Sequence, residues 1–187
     1  MPHKVYLAGP EVFLPDAVKV GRSKVEICAR HGLIGLFPLD LDAPPAGPAT
    51  SSAIFQACLA AMQDADAVIA NLTPFRGVGA DPGTAFELGY MLALGKPLFG
   101  YTNEPASHAE RVRSALGPLT SSQDQLFAAD GCAVENFELF DNLMLAEALL
   151  ARGRGAFKPH GPVADPGRDL GAFERCVSHA AGELVLG

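Results

Sequence analysis

The chain has 187 residues, 49% of them hydrophobic, and a formal net charge of −7, which predicts one domain with its own core and argues against a nucleic-acid polymer as partner. The five histidines lack metal-ligand spacing, and the four cysteines (Cys28, Cys58, Cys132 and Cys176) are far apart, so neither a metal site nor a disulfide framework is expected. No apolar run reaches membrane-spanning length and no signal peptide is recognised, so we expect a cytoplasmic protein.

Predicted strands and helices alternate along the first half of the chain. Short apolar runs predict strands at residues 4–8, 33–37, 67–71 and 98–101. Apolar residues at helical spacing predict helices at about 16–31, 51–62 and 84–94. This alternation predicts a parallel sheet covered by helices on both faces, a Rossmann-like (flavodoxin-like) α/β fold.

The second half of the chain has a weaker pattern. Residues 102–136 predict irregular structure around one short helix near Glu110. Residues 142–151 and 170–186 predict two helices, joined by a Gly/Pro-rich link at 153–167. A fifth strand is compatible with this pattern, but the sequence does not place it. We interpret residues 1–187 as a single domain.

The stretch DADAVIANLTPFRGVGADPGTAFELGYMLALGKPLFGY, residues 64–101, carries the strongest functional signal. Ligands bind outside the carboxyl ends of strands in open α/β sheets, so Asp81 and Glu87 lie where chemistry is expected. Two interpretations of Glu87 stay open. Thr84 and Glu87 match a capping box, in which the glutamate only satisfies the helix start. Alternatively, Asp81 caps the helix and Pro82 takes its first position, which leaves Glu87 free to face the cleft.

Four separated blocks, YLAGPEVF, DADAVIANLTPFRG, DPGTAFELGY and DNLML, together resemble the nucleoside 2-deoxyribosyltransferase family over residues 5–145. The resemblance implies that Glu87 attacks the anomeric carbon of a 2'-deoxynucleoside and forms a covalent deoxyribosyl ester as the base leaves. A second base then attacks from the opposite face, and two displacements give net retention. The implied partners are deoxynucleosides and free nucleobases, with no metal or organic cofactor.

The resemblance implies roles for further side chains, each with a structural alternative. Tyr6 would hydrogen-bond Glu87 and orient it, or it would simply be a core tyrosine of the first strand. Asp81 would hold the sugar 5'-hydroxyl and could also cap its helix. Asn142 would reach the same hydroxyl from a neighbouring subunit, or it would be an ordinary N-cap. A homo-oligomer, at least a dimer with shared active sites, is therefore expected.

Base recognition is the remaining part of the implied site. Phe13 would lie against the nucleobase, or it would be a core phenylalanine. The resemblance also implies that Gly9, in the same loop, binds substrate. Asp40 and Asp42 follow the second strand and would exchange a proton with the base, or they would be solvated loop carboxylates. Cys58 departs from the family pattern, because relatives often carry Asp or Asn there, so base preference is not carried over.

Two other functions stay open. A hydrolase of nucleoside 5'-monophosphates needs a phosphate cradle, which Pro10 and Glu11 of the first loop oppose. A non-catalytic nucleotide-binding module is the second, although without GxGxxG a dinucleotide cofactor is not supported. Arg76 is either a loop anchor or a ligand contact. Residues 153–187 lie outside the resemblance and are expected to serve in packing.

Overall fold

The computed structural model describes residues 1–41, 50–151 and 155–186. Strands and helices alternate in its first half: β1 (Lys4–Ala8), α1 (Ala17–Arg30), β2 (Ile34–Leu36), α2 (Ser51–Asp64), β3 (Ala67–Asn71), α3 (Pro82–Ala93) and β4 (Leu98–Tyr101). The second half contains α4 (His108–Leu116), β5 (Thr120–Ser122), β6 (Gln125–Phe127), β7 (Ala133–Val134), α5 (Leu143–Leu150) and α6 (Gly171–Leu186).

The main sheet has four parallel strands in the order β2-β1-β3-β4. This order matches the start of the flavodoxin-like arrangement, so the predicted α/β fold with a parallel sheet is confirmed. Beyond β4, Phe157 forms a single parallel bridge with Tyr101. Its N–H donates to the Gly100 carbonyl at 2.9 Å, and its carbonyl accepts from the Thr102 N–H at 2.9 Å. Within the described residues, the fifth strand position is thus filled by one residue.

The central strands bury both faces, which divides the core into two layers. Val5 and Leu7 of β1 belong to a cluster with buried residues of α1 and α6. Tyr6 and Ala8 point to the other face, into a cluster with residues of α2, α3 and α5. Because side chains alternate across a strand, the sequence of β1 assigns each residue to one layer. Tyr6 therefore lies on the side of the sheet that carries Glu87.

A second, smaller sheet lies where the sequence predicted irregular structure. Strands β5, β6 and β7 pair antiparallel in that order. The short helix expected near Glu110 is α4, which begins with a capping box between Ser107 and Glu110. A third hydrophobic cluster joins α4 to this sheet and contains Ala109, Val112, Ala128 and Val134. The prediction for 102–136 was therefore right about the helix and wrong about the sheet.

Two further contacts hold the helices to the main sheet: that of Lys96 with the end of α2, and that of the buried face of α6. Lys96 Nζ donates to the carbonyls of Met62 and Gln63 at 3.0 and 2.6 Å, and also to that of Ala65, which ties the end of α2 to the start of β4. Helix α6 buries a row of side chains against the sheet, among them Phe173 and Val177, both 0% exposed. Among the three described segments, no helix combines the length and apolar character needed to cross a bilayer.

Candidate active site

The start of α3 decides between the two interpretations of Glu87. Asp81 is the N-cap, and its Oδ2 accepts from the backbone N–H of Thr84 at 2.9 Å and from the Thr84 hydroxyl at 3.1 Å. Pro82 takes the first helical position, where its missing N–H costs nothing. Glu87 therefore lies in the second turn, and the capping-box interpretation is wrong. Its carboxylate is free to bond elsewhere.

Glu87 bonds to Tyr6 across the space between α3 and β1. The Tyr6 hydroxyl donates to Glu87 Oε1 at 2.6 Å, a short distance typical of a hydroxyl bonded to a charged acceptor. The Tyr6 side chain is fully buried, so it is a core tyrosine and a partner of Glu87 at once. Burial, with Glu87 next to it, raises the pKa of Tyr6 far above its ordinary value, so the hydroxyl remains a donor.

The electrostatics of Glu87 suit a group that works near neutral pH. Burial is the largest influence and raises the pKa of Glu87 from 4.5 to about 7, with the negative charge of Asp81 adding to the rise and the Tyr6 hydrogen bond opposing it. A carboxylate that is hard to ionise is also poorly solvated once ionised, which leaves it reactive. Glu87 is thus a candidate nucleophile or base.

An apolar pocket of about 350 Å³ lies between α2 and α3 and has Glu87 in its wall. This volume falls within the range of small-molecule sites. The pocket is lined by Ser51, Ile54, Phe55, Cys58, Met62, Gly83, Phe86 and Glu87. The sequence reasoning missed most of this wall, although Ile54, Cys58 and Met62 recur at four-residue spacing and so share one helix face. Phe55 and Phe86 at the pocket rim have ring centroids 6.0 Å apart.

Cys58 is the pocket residue that departs from the pattern implied by the resemblance, which has Asp or Asn at this position. It lines the pocket with Glu87 and is half-buried. Burial, together with the charge of Glu87, raises the pKa of its thiol. A neutral thiol is a weak hydrogen-bonding group, so α2 offers the pocket a nearly apolar surface at this point.

The loop after β1 is built around a buried ion pair. Glu11 and Lys24 are 2% and 0% exposed, with 2.7 Å between Glu11 Oε1 and Lys24 Nζ. Tyr101 and Asn71 also donate to Glu11 Oε1, at 2.7 and 3.0 Å. Burial alone would raise the pKa of Glu11, but Lys24 and the Tyr101 hydrogen bond hold it below its ordinary value. Glu11 is therefore a neutralised core residue and not a loop carboxylate that opposes a phosphate, as the sequence had suggested.

Gly9 is required by the approach of this carboxylate. A Cβ added at Gly9 would lie 1.9 Å from Glu11 Oε2 and 3.0 Å from Asn71 Cβ, so no larger residue fits without moving the buried pair. The structure thus gives Gly9 a packing reason, and its predicted contact with substrate stays a prediction.

Phe13 lies in an exposed aromatic cluster at the same edge of the sheet. It is 54% exposed, which rules out the core alternative. Its ring stacks on Phe75 with centroids 5.3 Å apart and 16° between planes. The Arg76 guanidinium lies 5.4 Å from the Phe13 centroid and 4.8 Å from the Phe75 centroid. Arg76 also has a positive φ of 54°, so this loop position is conformationally constrained.

Of the two acidic residues predicted after β2, the structure describes Asp40 alone. Asp40 ends a 3-10 turn at Pro38–Asp40 and is exposed, which agrees with a solvated loop carboxylate. Asp42 lies outside the described residues. Asn142 is exposed and caps α5, accepting from the Met144 N–H at 3.0 Å and donating to Glu135 Oε1 at 2.7 Å.

The structure therefore brings Tyr6, Glu87, Cys58 and Asp81 together. The hydrogen bonds of Asn142 within the described part of the chain connect it to the side chains of Asp141 and Glu135 and to the backbone of α5, not to Glu87. In those same residues, no group of three or more His, Cys, Asp or Glu side chains is arranged to hold a metal ion.

Comparisons with known proteins identify the family and the fold. The model of the nucleoside 2-deoxyribosyltransferase family matches residues 5–144. An uncharacterized protein of Schizosaccharomyces pombe is 37% identical over 161 residues, covering 76% of each chain. The 2-desoxiribosyltransferase from Leishmania mexicana is 28% identical with a TM-score of 0.62, covering 95% of this chain and 99% of its own. A conserved protein from Enterococcus faecalis V583 shares the fold, at 17% identity, a TM-score of 0.56, and 96% and 99% coverage. With a family match over most of its length, which includes both Tyr6 and Glu87, the chain belongs to the nucleoside 2-deoxyribosyltransferase family.

Proposed function

We propose that this protein transfers the 2-deoxyribosyl group between nucleobases through a covalent ester on Glu87, with net retention at the anomeric carbon. The observation that carries the proposal is the 2.6 Å hydrogen bond from the Tyr6 hydroxyl to Glu87 Oε1 in the wall of an apolar pocket. A carboxylate held by one oxygen keeps its second oxygen for the substrate, and the pocket suits a flat base.

The first step would break the bond between the anomeric carbon and the base nitrogen. The electron pair of that bond leaves with the base, which takes up a proton from solvent. The developing oxocarbenium charge is stabilised by ionised Glu87, and a carboxylate oxygen then closes on the anomeric carbon. The raised pKa of about 7 means that a fraction of Glu87 is protonated near neutral pH, so its ionisation sets the acid limb of the rate profile.

The second step reverses the first with a different base. A nitrogen of the acceptor attacks the anomeric carbon and loses its proton to solvent. Glu87 leaves as a carboxylate, and the Tyr6 hydroxyl again stabilises its charge. Water in place of the acceptor would give free deoxyribose. The apolar wall from α2, including half-buried Cys58, favours a nucleobase over water near the ester.

The other predicted residues complete the proposal. Asp81, only 9% exposed, would bind the sugar 5'-hydroxyl with an oxygen not used for capping. Asn142 would reach that hydroxyl from a neighbouring subunit in a homo-oligomer. A neighbour is supported by the exposure of Met144, 71% exposed on the apolar helix that Asn142 begins. Phe13 would contact the base.

The experiment is to incubate the protein with a 2'-deoxynucleoside, with and without a different free base, and to separate the products by chromatography. Formation of the new deoxynucleoside supports transfer, whereas release of base alone from a nucleoside or its 5'-monophosphate points to a hydrolase. A Glu87→Gln variant is the matched control, because it keeps the size of the side chain and an acceptor for Tyr6. Transfer at the wild-type rate by this variant would contradict the proposal.

A further inference from the structure

A buried carboxylate outside the reacting pair, Asp141, joins the two segments that carry the proposed 5'-hydroxyl ligands. It is 2% exposed. Its Oδ1 accepts from the backbone N–H of Asn142 at 2.7 Å, and its Oδ2 accepts from the backbone N–H of Ala80 at 3.0 Å. Ala80 directly precedes Asp81. One side chain therefore holds the backbone at Asn142 and next to Asp81.

Arg111 on α4 completes this junction. Its Nη2 lies 3.3 Å from Asp141 Oδ2, while its Nε donates to the Val78 carbonyl at 2.7 Å and its Nη1 to the Ala106 carbonyl at 2.9 Å. The side chains of the pair are 8% and 2% exposed. Removing the charge of either partner would leave the other charge buried without compensation. Through these bonds, the turn at 78–81, α4 and the start of α5 are held together.

The side chain of Asn142 is held by a different carboxylate. Its Nδ2 donates to Glu135 Oε1 at 2.7 Å, and Glu135 Oε2 accepts from the Leu143 N–H at 2.8 Å. Glu135 directly follows β7, so the small sheet supplies this support. Asp141 fixes the backbone of Asn142, and Glu135 fixes its amide. Because its backbone and its amide group are both hydrogen-bonded, the exposed side chain of Asn142 has a defined direction.

We propose that Asp141 is a positioning residue for recognition of the sugar 5'-hydroxyl. This inference rests on the proposed function and adds a residue to it. Asp141 contacts no substrate and acts by fixing the turn that carries Asp81 and the backbone of Asn142. Because Asn142 would serve the neighbouring subunit, the same carboxylate supports one ligand of its own chain's site and one ligand of the neighbour's.

The test compares two substrates in wild-type protein and in an Asp141→Asn variant. The amide keeps an oxygen for one backbone N–H but puts donors where Ala80 and Arg111 need an acceptor. For wild type, we expect kcat/KM for a 2'-deoxynucleoside to exceed that for its 2',5'-dideoxy analogue by about 10- to 100-fold, the value of one or two hydrogen bonds. In Asp141→Asn this ratio should fall toward one, mainly through KM, with the analogue's own kcat/KM little changed.

A stability-matched control separates positioning from folding. Val177→Ala removes volume from the core on the α6 side of the sheet and should lower the melting temperature while leaving the substrate ratio at its wild-type value. If Asp141→Asn does not fold, Arg111→Lys takes its place, since it keeps the charge and loses the fork of hydrogen bonds.

Each outcome has one meaning for this inference. A reduced ratio in Asp141→Asn or Arg111→Lys, with a normal ratio in Val177→Ala, supports positioning. A wild-type ratio in the folded variant, whatever its melting temperature, overturns it. Absence of any base exchange by wild-type protein overturns the proposed function itself, which is a different result from active protein with an unchanged ratio.

Discussion

Replacing Glu87 with glutamine should make the protein more stable at alkaline pH, although it removes the proposed nucleophile. The pKa of Glu87 is raised from 4.5 to about 7, chiefly by burial. An acid whose pKa is higher in the folded state favours folding when protonated, and this contribution is lost as the pH rises through the folded-state pKa. Glutamine is neutral at every pH and still accepts from Tyr6, so it avoids the cost of a buried charge.

The magnitude follows from the size of the shift. Above about pH 8, where Glu87 is ionised in both states, its burial costs about 3 kcal/mol relative to the unfolded chain. At about pH 5, where the folded protein holds Glu87 protonated, the cost is about 1 kcal/mol. The free energy of unfolding of Glu87→Gln minus that of wild type should therefore increase by about 2–3 kcal/mol between about pH 5 and about pH 8.5.

Denaturant titrations at the two pH values, at one fixed protein concentration, measure this difference. Glu174→Gln is the control, because the Arg30 hydrogen bond lowers the pKa of that exposed carboxyl. Both pH values lie above the ordinary pKa of a glutamate, so its contribution is present at both, and the difference between this variant and wild type should change little with pH. A pH-independent difference for Glu87→Gln, or one that decreases with pH, would refute the assignment of Glu87 as a buried, hard-to-ionise acid.

Three further predictions concern the surroundings of the site. Tyr6→Phe should move the acid limb of the rate–pH profile up by about 1–2 pH units, because the hydrogen bond that lowers the pKa of Glu87 is lost; an unmoved limb contradicts this. Iodoacetamide should label Cys58 slowly at neutral pH and faster as pH rises, with a deoxynucleoside protecting it, as peptide mass spectrometry would show. Lys24→Met should cost about 3–5 kcal/mol in denaturant titration, and adding Glu11→Gln should restore part of it.

Much of the fold was predictable because its signals are local. The runs that form β1, β3 and β4 are continuous and apolar, and the structure places these strands at the predicted residues. The short sheet of β5, β6 and β7 was missed because its strands have three, three and two residues. The residues of β5 are all exposed, so no alternation of polar and apolar residues marks it.

In the candidate site, too, residues with a local sequence signal were predictable and residues with distant partners were not. Asp81 was recognised as one of two helix-start alternatives, since capping leaves a local pattern. Glu11 was misjudged because its partners are distant in sequence: Lys24 is 13 residues away and Tyr101 is 90 residues away. Asp141 went unnoticed beside Asn142, since its contacts with Ala80 and Arg111 exist only in the folded chain.

The two walls of the Glu87 pocket differ in how firmly the fold holds them. One wall is α3, whose Glu87 is hydrogen-bonded to Tyr6 in the middle of a buried strand, so insertions or polar substitutions in that strand would damage chemistry and folding together. The other wall is α2, where Ala61 and Met62 near its end are the buried residues, while Ile54 and Phe55 near its start are 53% and 46% exposed. Changes at the start of α2 therefore cost little stability. Such an arrangement favours the evolution of new base preferences, because selection can vary the outer wall while the reacting pair is kept.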